Sequence, residues 1–219
     1  ACLHLKEGAR YVWGHRSLRP AMLMLLSMAV FGWAFFSQMA AVAKHGLNLG
    51  PKGYGFLLAA SGLGAVVAAL GVATRGGRGH LRAQMSFGIG AFAVCLNLAT
   101  LPKNPWLAAM GFAGAGFGLV LFFASCSSYV QTRTQDAYRG RVMGLYALLF
   151  GGGIPLGSLW MAVAAEHLGV MVSLRISAVM ALLAASAASR FGGVRHARRR
   201  HHPSRLSKPL RIRGRRCQT

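Results

Sequence analysis

Three acidic side chains, Glu7, Asp136 and Glu166, are all that this 219-residue chain offers for carboxylate chemistry, against 25 lysines and arginines. None of them lies in the middle of an apolar run, so paired carboxylates for general acid–base work or proton relay inside a membrane are not expected. Asp136, followed by Arg139 and Arg141, has the composition of a helix start that also holds an ion pair. Glu166 beside His167 reads as a wet helix end. His201 and His202 lack neighbouring Cys or carboxylate ligands, and no metal site is expected there. No glycine loop leads into Lys and Ser/Thr, and no Ser–His–Asp arrangement is evident. The chain therefore reads as a non-enzyme without a cofactor. Cys2, Cys95, Cys126 and Cys217 read as free thiols.

The elements that would position these groups are six apolar runs: Pro20 to Ala43, Gly53 to Ala73, Ala83 to Leu101, Pro105 to Val130, Val142 to Ala165 and Gly169 to Phe191. Each is about the length of a bilayer-spanning helix, roughly 20 residues. The first five contain no Lys, Arg, Asp or Glu. The sixth carries Arg175 and Arg190, which tilt and snorkelling toward the two interfaces would accommodate. Residues 1–19 alternate basic and apolar side chains and read as an amphipathic lead-in, residues 20–191 as a six-helix transmembrane bundle, and residues 192–219 as a basic, disordered tail.

A net charge of +22 would suggest a polyanion partner if it lay on one soluble face, but 21 of the 25 basic residues fall at the two termini and in alternate loops. That distribution is the positive-inside bias, so both termini are expected in the cytoplasm and no nucleic acid is expected as a partner. The two outer connections, Lys44 to Gly53 and Pro102 to Asn104, are short, which makes the helices antiparallel neighbours. Asn97, inside the third run, is expected to bond to a neighbouring helix.

The stretch Val130-Gln-Thr-Arg-Thr-Gln-Asp-Ala-Tyr-Arg-Gly-Arg-Val-Met-Gly-Leu-Tyr146 closely resembles a cytoplasmic loop of the major facilitator superfamily, in the branch of bacterial multidrug and enterobactin exporters. GYGFLLAASGLGAVVAAL from Gly53, IPLGSLW from Ile154 and EGARYVWGHRSLRP before the first helix are similar to the same branch. The resemblance implies an all-α membrane fold, the C-terminal six-helix half of a twelve-helix transporter, built as two inverted three-helix repeats. It also implies a bacterial inner-membrane location, a small-molecule substrate, and a partner that is either the N-terminal six-helix half or a second identical chain.

Residue by residue, the resemblance makes Asp136, Arg139, Gly140 and Arg141 candidates for a loop that gates transport. Gly71 to Arg78 is similar to a second superfamily loop motif, adding Arg75, Gly77 and Arg78, although Thr74 stands where that motif is acidic. Gly153, Pro155 and Gly157 interrupt the fifth run, so a kink and close helix contact are expected there. The first, second, fourth and fifth helices would line the substrate cavity. Phe31, Phe35 and Gln38, four and three residues apart, would then form one inward stripe, and Phe122, Ser125 and Tyr129 another. Such aromatic walls with a few polar groups suit bulky amphipathic or aromatic solutes. The function expected is a proton-coupled exporter of small hydrophobic or siderophore-like solutes. The alternative is a truncated, non-transporting membrane remnant or membrane-interaction protein.

Overall fold

The structure, a computed structural model, describes residues 2–47, 49–74, 80–101 and 104–191, and among them there is no strand. The helices are α1 (Cys2–Gly14), α2 (Leu18–Ser27), α3 (Phe35–Ala41), α4 (Pro51–Thr74), α5 (Leu81–Ala99), α6 (Pro105–Arg133), α7 (Asp136–Leu168) and α8 (Val170–Phe191). Two π-helical turns, Met28–Gly32 and Val42–Gly46, come after α2 and α3, so the first crossing runs from Leu18 to Lys44 with its register shifted on the way. In hydrocarbon every backbone group must be satisfied within the segment, which leaves the helix as the form these runs can take. Among the described residues, five helical stretches are long and apolar enough to cross a membrane. A shorter apolar stretch, Val170–Ser186, opens α8.

Helix boundaries reflect local chemistry. The Asn104 side chain accepts a hydrogen bond from the Trp106 amide at 3.0 Å, and Pro105 takes the first position of α6, where its missing N–H is harmless. Thr134 and Gln135 are extended and separate α6 from α7. Gly169 turns the chain from α7 to α8 at φ +82°, a backbone conformation open to glycine, and its amide donates to the Ala165 carbonyl at 3.1 Å.

Packing interlocks two three-helix units. The first crossing (α2 and α3) rests mainly on α7 and α8, while α6 rests on α4 and α5. The leading helix of each unit thus packs against the second and third helices of the other, as expected for inverted repeats. Most of Leu18–Lys44 and Pro105–Arg133 is buried, whereas α4 and α7 are mostly exposed. Small residues permit the closest approaches. A Cβ at Gly111, Gly114, Gly116 or Gly118 of α6 would strike Ala99, Cys95, Ser61 or Phe92 respectively. Between apolar helices in lipid this van der Waals fit replaces the hydrophobic effect as the force of association.

Two polar side chains behave differently from expectation. Asn97 donates to the Ala93 carbonyl of its own helix at 2.9 Å, one turn back, instead of bridging to a neighbour. Arg175 does more than snorkel. Its Nε donates to Thr100 Oγ1 at 2.9 Å and its Nη2 to the Thr100 carbonyl at 3.0 Å, closing the C-terminus of α5 with a cation where the helix dipole favours one. Arg175→Met is expected to lower stability by about 2 kcal/mol, because a carbonyl at the helix end loses a charged donor. Arg175→Lys should restore only part of that loss, since an ammonium lacks the planar fork. Thermal unfolding in detergent checks both, and an unchanged midpoint for Arg175→Met would remove the capping role.

Candidate functional site

The predicted aromatic stripes do not lie on one open face. Phe31 meets Trp160 of α7 edge-on at 6.2 Å between ring centroids. Phe35, fully buried, meets Phe92 of α5 and Phe112 of α6 at 5.7 and 6.2 Å. The π turn between α2 and α3 explains the split. Trp33 N donates to the Met28 carbonyl at 3.0 Å, five residues back, and the added residue rotates the next turns of the chain around the helix axis. Gln38 is buried as well. Phe122, Ser125 and Tyr129 are buried, with Ser125 Oγ donating to Gln84 Oε1 of α5 at 3.3 Å and the Tyr129 hydroxyl donating to the Ser17 carbonyl at 3.4 Å. All of these side chains except the half-buried Phe31 are buried within the bundle.

Three residues near them in sequence, with one from α7, form a half-buried cluster. Trp33 and Phe36 from the first crossing, Phe123 of α6 and Phe150 of α7 pack with centroid separations of 5.4 Å (Trp33 to Phe36), 5.9 Å (Trp33 to Phe123), 5.2 Å (Trp33 to Phe150) and 4.9 Å (Phe123 to Phe150). The last three contacts are edge-to-face, the geometry that the ring quadrupole favours. The Tyr146 hydroxyl, one turn before Phe150, donates to the Phe123 carbonyl at 3.4 Å and ties α7 to α6 beside the cluster. All four residues are half-buried, so the group, drawn from three crossings, is not sealed inside the bundle. Phe36 and Phe123 stand next in sequence to the stripe members Phe35 and Phe122, Trp33 lies midway between Phe31 and Phe35, and Phe150 comes from a helix on which spacing marked no stripe.

At the basic end, α1 is fastened to the start of α7. Arg141 Nη1 pairs with Glu7 at 3.1 Å, Tyr11 stacks on Tyr138 at 4.5 Å, and the Gln135 amide donates to the Tyr11 phenol at 3.4 Å. Gly8 makes room for this contact, because a Cβ there would sit 2.9 Å from the Arg141 carbonyl oxygen. Asp136 is the first residue of α7 and Gln135 occupies the cap position without a side-chain cap bond. Asp136 therefore acts through the helix dipole and through Arg139, whose Nη2 lies 2.7 Å from its carboxylate. Both partners are exposed, so that pair contributes little stability. Gly140 is exposed, and an added Cβ would meet nothing within 4 Å. Arg75, Gly77 and Arg78 lie outside the described residues.

Pro155 sits inside a helix that runs unbroken from Asp136 to Leu168. Gly153 and Gly157, one turn apart, are buried against the first crossing: a Cβ at Gly153 would come 2.6 Å from the Ala29 side chain, and one at Gly157 would collide with the Val30 carbonyl.

Comparison with known proteins agrees with this architecture. A search of curated proteins finds no match. The family model described as "Transmembrane secretion effector", of the major facilitator type, matches residues 2–210, nearly the whole chain. Together with the interlocked helical units, that match places this chain in the transmembrane secretion effector family of the major facilitator superfamily, as a multi-pass membrane protein of a transporter family.

Proposed function

We propose that this chain is one six-helix bundle, the C-terminal one, of a proton-coupled exporter of small hydrophobic or siderophore-like solutes in a bacterial inner membrane. The aromatic cluster of Trp33, Phe36, Phe123 and Phe150 carries this reading, because it supplies an apolar, partly open wall at the meeting of three membrane crossings. Solute would rest against it and be enclosed by a second bundle. The exposed faces of α4 and α7 suit such docking: at Gly55 and Gly62, and at Gly144, Gly151 and Gly152, an added Cβ meets nothing within 4 Å. By sequence, 21 of the 25 basic residues fall at the two termini and in alternate loops, and under the positive-inside bias those segments would face the cytoplasm. No acid stands near the cluster: Glu7 and Asp136 lie at the basic end, and Glu166 lies near the far end of α7. Coupling protons would therefore be handled by the second bundle.

Reconstitution tests the proposal. The chain alone in proteoliposomes under a proton gradient is expected to show no solute flux above empty vesicles. Co-reconstitution with an N-terminal six-helix bundle of the same transporter type should produce saturable export. Silence in both conditions would favour a non-transporting membrane protein, and saturable flux from the chain alone would favour a pair of identical bundles.

A further inference from the structure

At the basic end, away from the aromatic cluster, two arginines from different helices converge on one tyrosine. The guanidinium carbon of Arg82, in the first turn of α5, lies 5.5 Å from the Tyr129 ring centroid, and that of Arg133, the last residue of α6, lies 5.6 Å from it. Both arginines are exposed, while Tyr129 is buried and braced by its bond to the Ser17 carbonyl. The two like charges are thus no farther apart than the sum of those distances. An acid between them would be the ordinary remedy, but among the described residues the two acids at this end each sit against a different arginine. Of the three acids in the chain, Glu7 pairs with Arg141, Asp136 pairs with Arg139, and Glu166 lies near the opposite end of α7.

The surroundings add donors rather than acceptors. His80, at the cap position of α5, makes no side-chain cap bond, so its side chain supplies no acceptor to the first amides of the helix that carries Arg82. Gln84, two residues on, uses its Oε1 to accept from Ser125, which leaves the Nε2 group as the donor end of that side chain. Arg16 and Arg19 flank Ser17 in sequence, and both are exposed. A planar guanidinium matches phosphate oxygens through paired N–H bonds, and a ring beneath it holds the fork in place without supplying a competing anion.

We propose that Arg82, Arg133 and Tyr129 form a phosphate-binding site at the mouth of the α5–α6 seam, occupied by the phosphate of an anionic lipid headgroup or of a soluble phosphate ester. Basic pockets between transmembrane helices on the cytoplasmic side are where such headgroups bind. The site's location in that leaflet rests on the orientation proposed above; its recognition of phosphate rests on the geometry alone.

The test uses the full chain in detergent micelles supplied with equal phosphatidylglycerol and phosphatidylcholine, with bound lipid read by native mass spectrometry. The unmodified chain is expected to retain phosphatidylglycerol in preference to phosphatidylcholine. The double variant Arg82→Gln/Arg133→Gln should lose roughly tenfold or more of that retention. A control of equal charge change at exposed positions elsewhere, Arg10→Gln/Lys44→Gln, should stay within about twofold of the unmodified chain. Glycerol 3-phosphate distinguishes the sources: displacement of lipid at millimolar concentration assigns the site to a soluble phosphate ester, and failure to displace assigns it to lipid. Equal retention by the double variant and the unmodified chain, or equal loss in the control, would overturn the site. No flux is measured, so the result stands apart from the transport proposal.

Discussion

Leucine at Gly157 is expected to prevent this bundle from assembling, whereas leucine at Gly152 should leave the fold intact. The two positions are five residues apart on α7, yet they face opposite conditions. A Cβ at Gly157 would collide with the backbone of Val30, striking its carbonyl oxygen and coming 2.8 Å from the carbonyl carbon. Backbone of a packed helix cannot step aside as a flexible side chain can. Inserting atoms into an already packed interior commonly costs about 1–3 kcal/mol, and a leucine aimed at backbone belongs at or above the top of that range. Against a total stability of roughly 5–15 kcal/mol, such a loss would be visible as aggregation or a large fall in thermal midpoint. At Gly152 an added Cβ meets nothing within 4 Å, so only contact with a second bundle would suffer. Size-exclusion profiles and melting of both variants in detergent check the contrast. A Gly157→Leu protein with an unaltered profile would refute the contact between α7 and the first crossing.

How much of the molecule is legible from residues alone is governed by the solvent. A bilayer demands long uncharged helices, and the run Gly53 to Ala73 becomes α4 at Pro51–Thr74 with two residues added at its start and one at its end. The glycines at 153 and 157 are legible as close-contact positions because close approach has few other chemical signatures. Facing is harder. In an apolar run both sides of a helix are hydrophobic, so periodicity gives no phase. The doublets Phe35-Phe36 and Phe122-Phe123 put an aromatic ring on two faces at once, and spacing alone selects the buried member of each. A π turn inserts its extra residue without a proline or a charge to announce it, which is why Phe31 and Phe35 read as one stripe. Contacts distant in sequence are equally silent. Arg175 reaches Thr100, and Glu7 reaches Arg141, across separations that no local pattern encodes. Asp136 is recognisable as part of a helix start, but the single-residue difference between cap and first turn requires the backbone.

Trp33→Ala and Phe35→Ala, two residues apart in sequence, are expected to fail in different ways, and the difference decides whether the aromatic cluster meets solute. Phe35 is fully buried between α5 and α6, so its truncation should cost about 3–5 kcal/mol and reduce the amount of folded protein. Transport by the surviving molecules should keep its KM. Trp33 is only half buried, although its ring touches Phe36, Phe123 and Phe150. Losing those ring contacts should cost about 0.5–1.5 kcal/mol each beyond lost area, and part of that is recovered if Phe123 and Phe150, 4.9 Å apart, close over the gap. Loss of the half-buried indole would raise KM for a hydrophobic solute roughly tenfold, which corresponds to about 1.4 kcal/mol of binding, within what one aromatic contact supplies. The measurement is flux against solute concentration for the chain co-reconstituted with an N-terminal six-helix bundle, normalised to folded protein. Trp33→Phe, which retains a ring, should recover most of the affinity. If both alanine variants lower flux only in proportion to folded protein, with KM unchanged, the cluster is packing and the solute lies elsewhere. A raised KM for Trp33→Ala alone separates the wall that faces solute from the core that holds it.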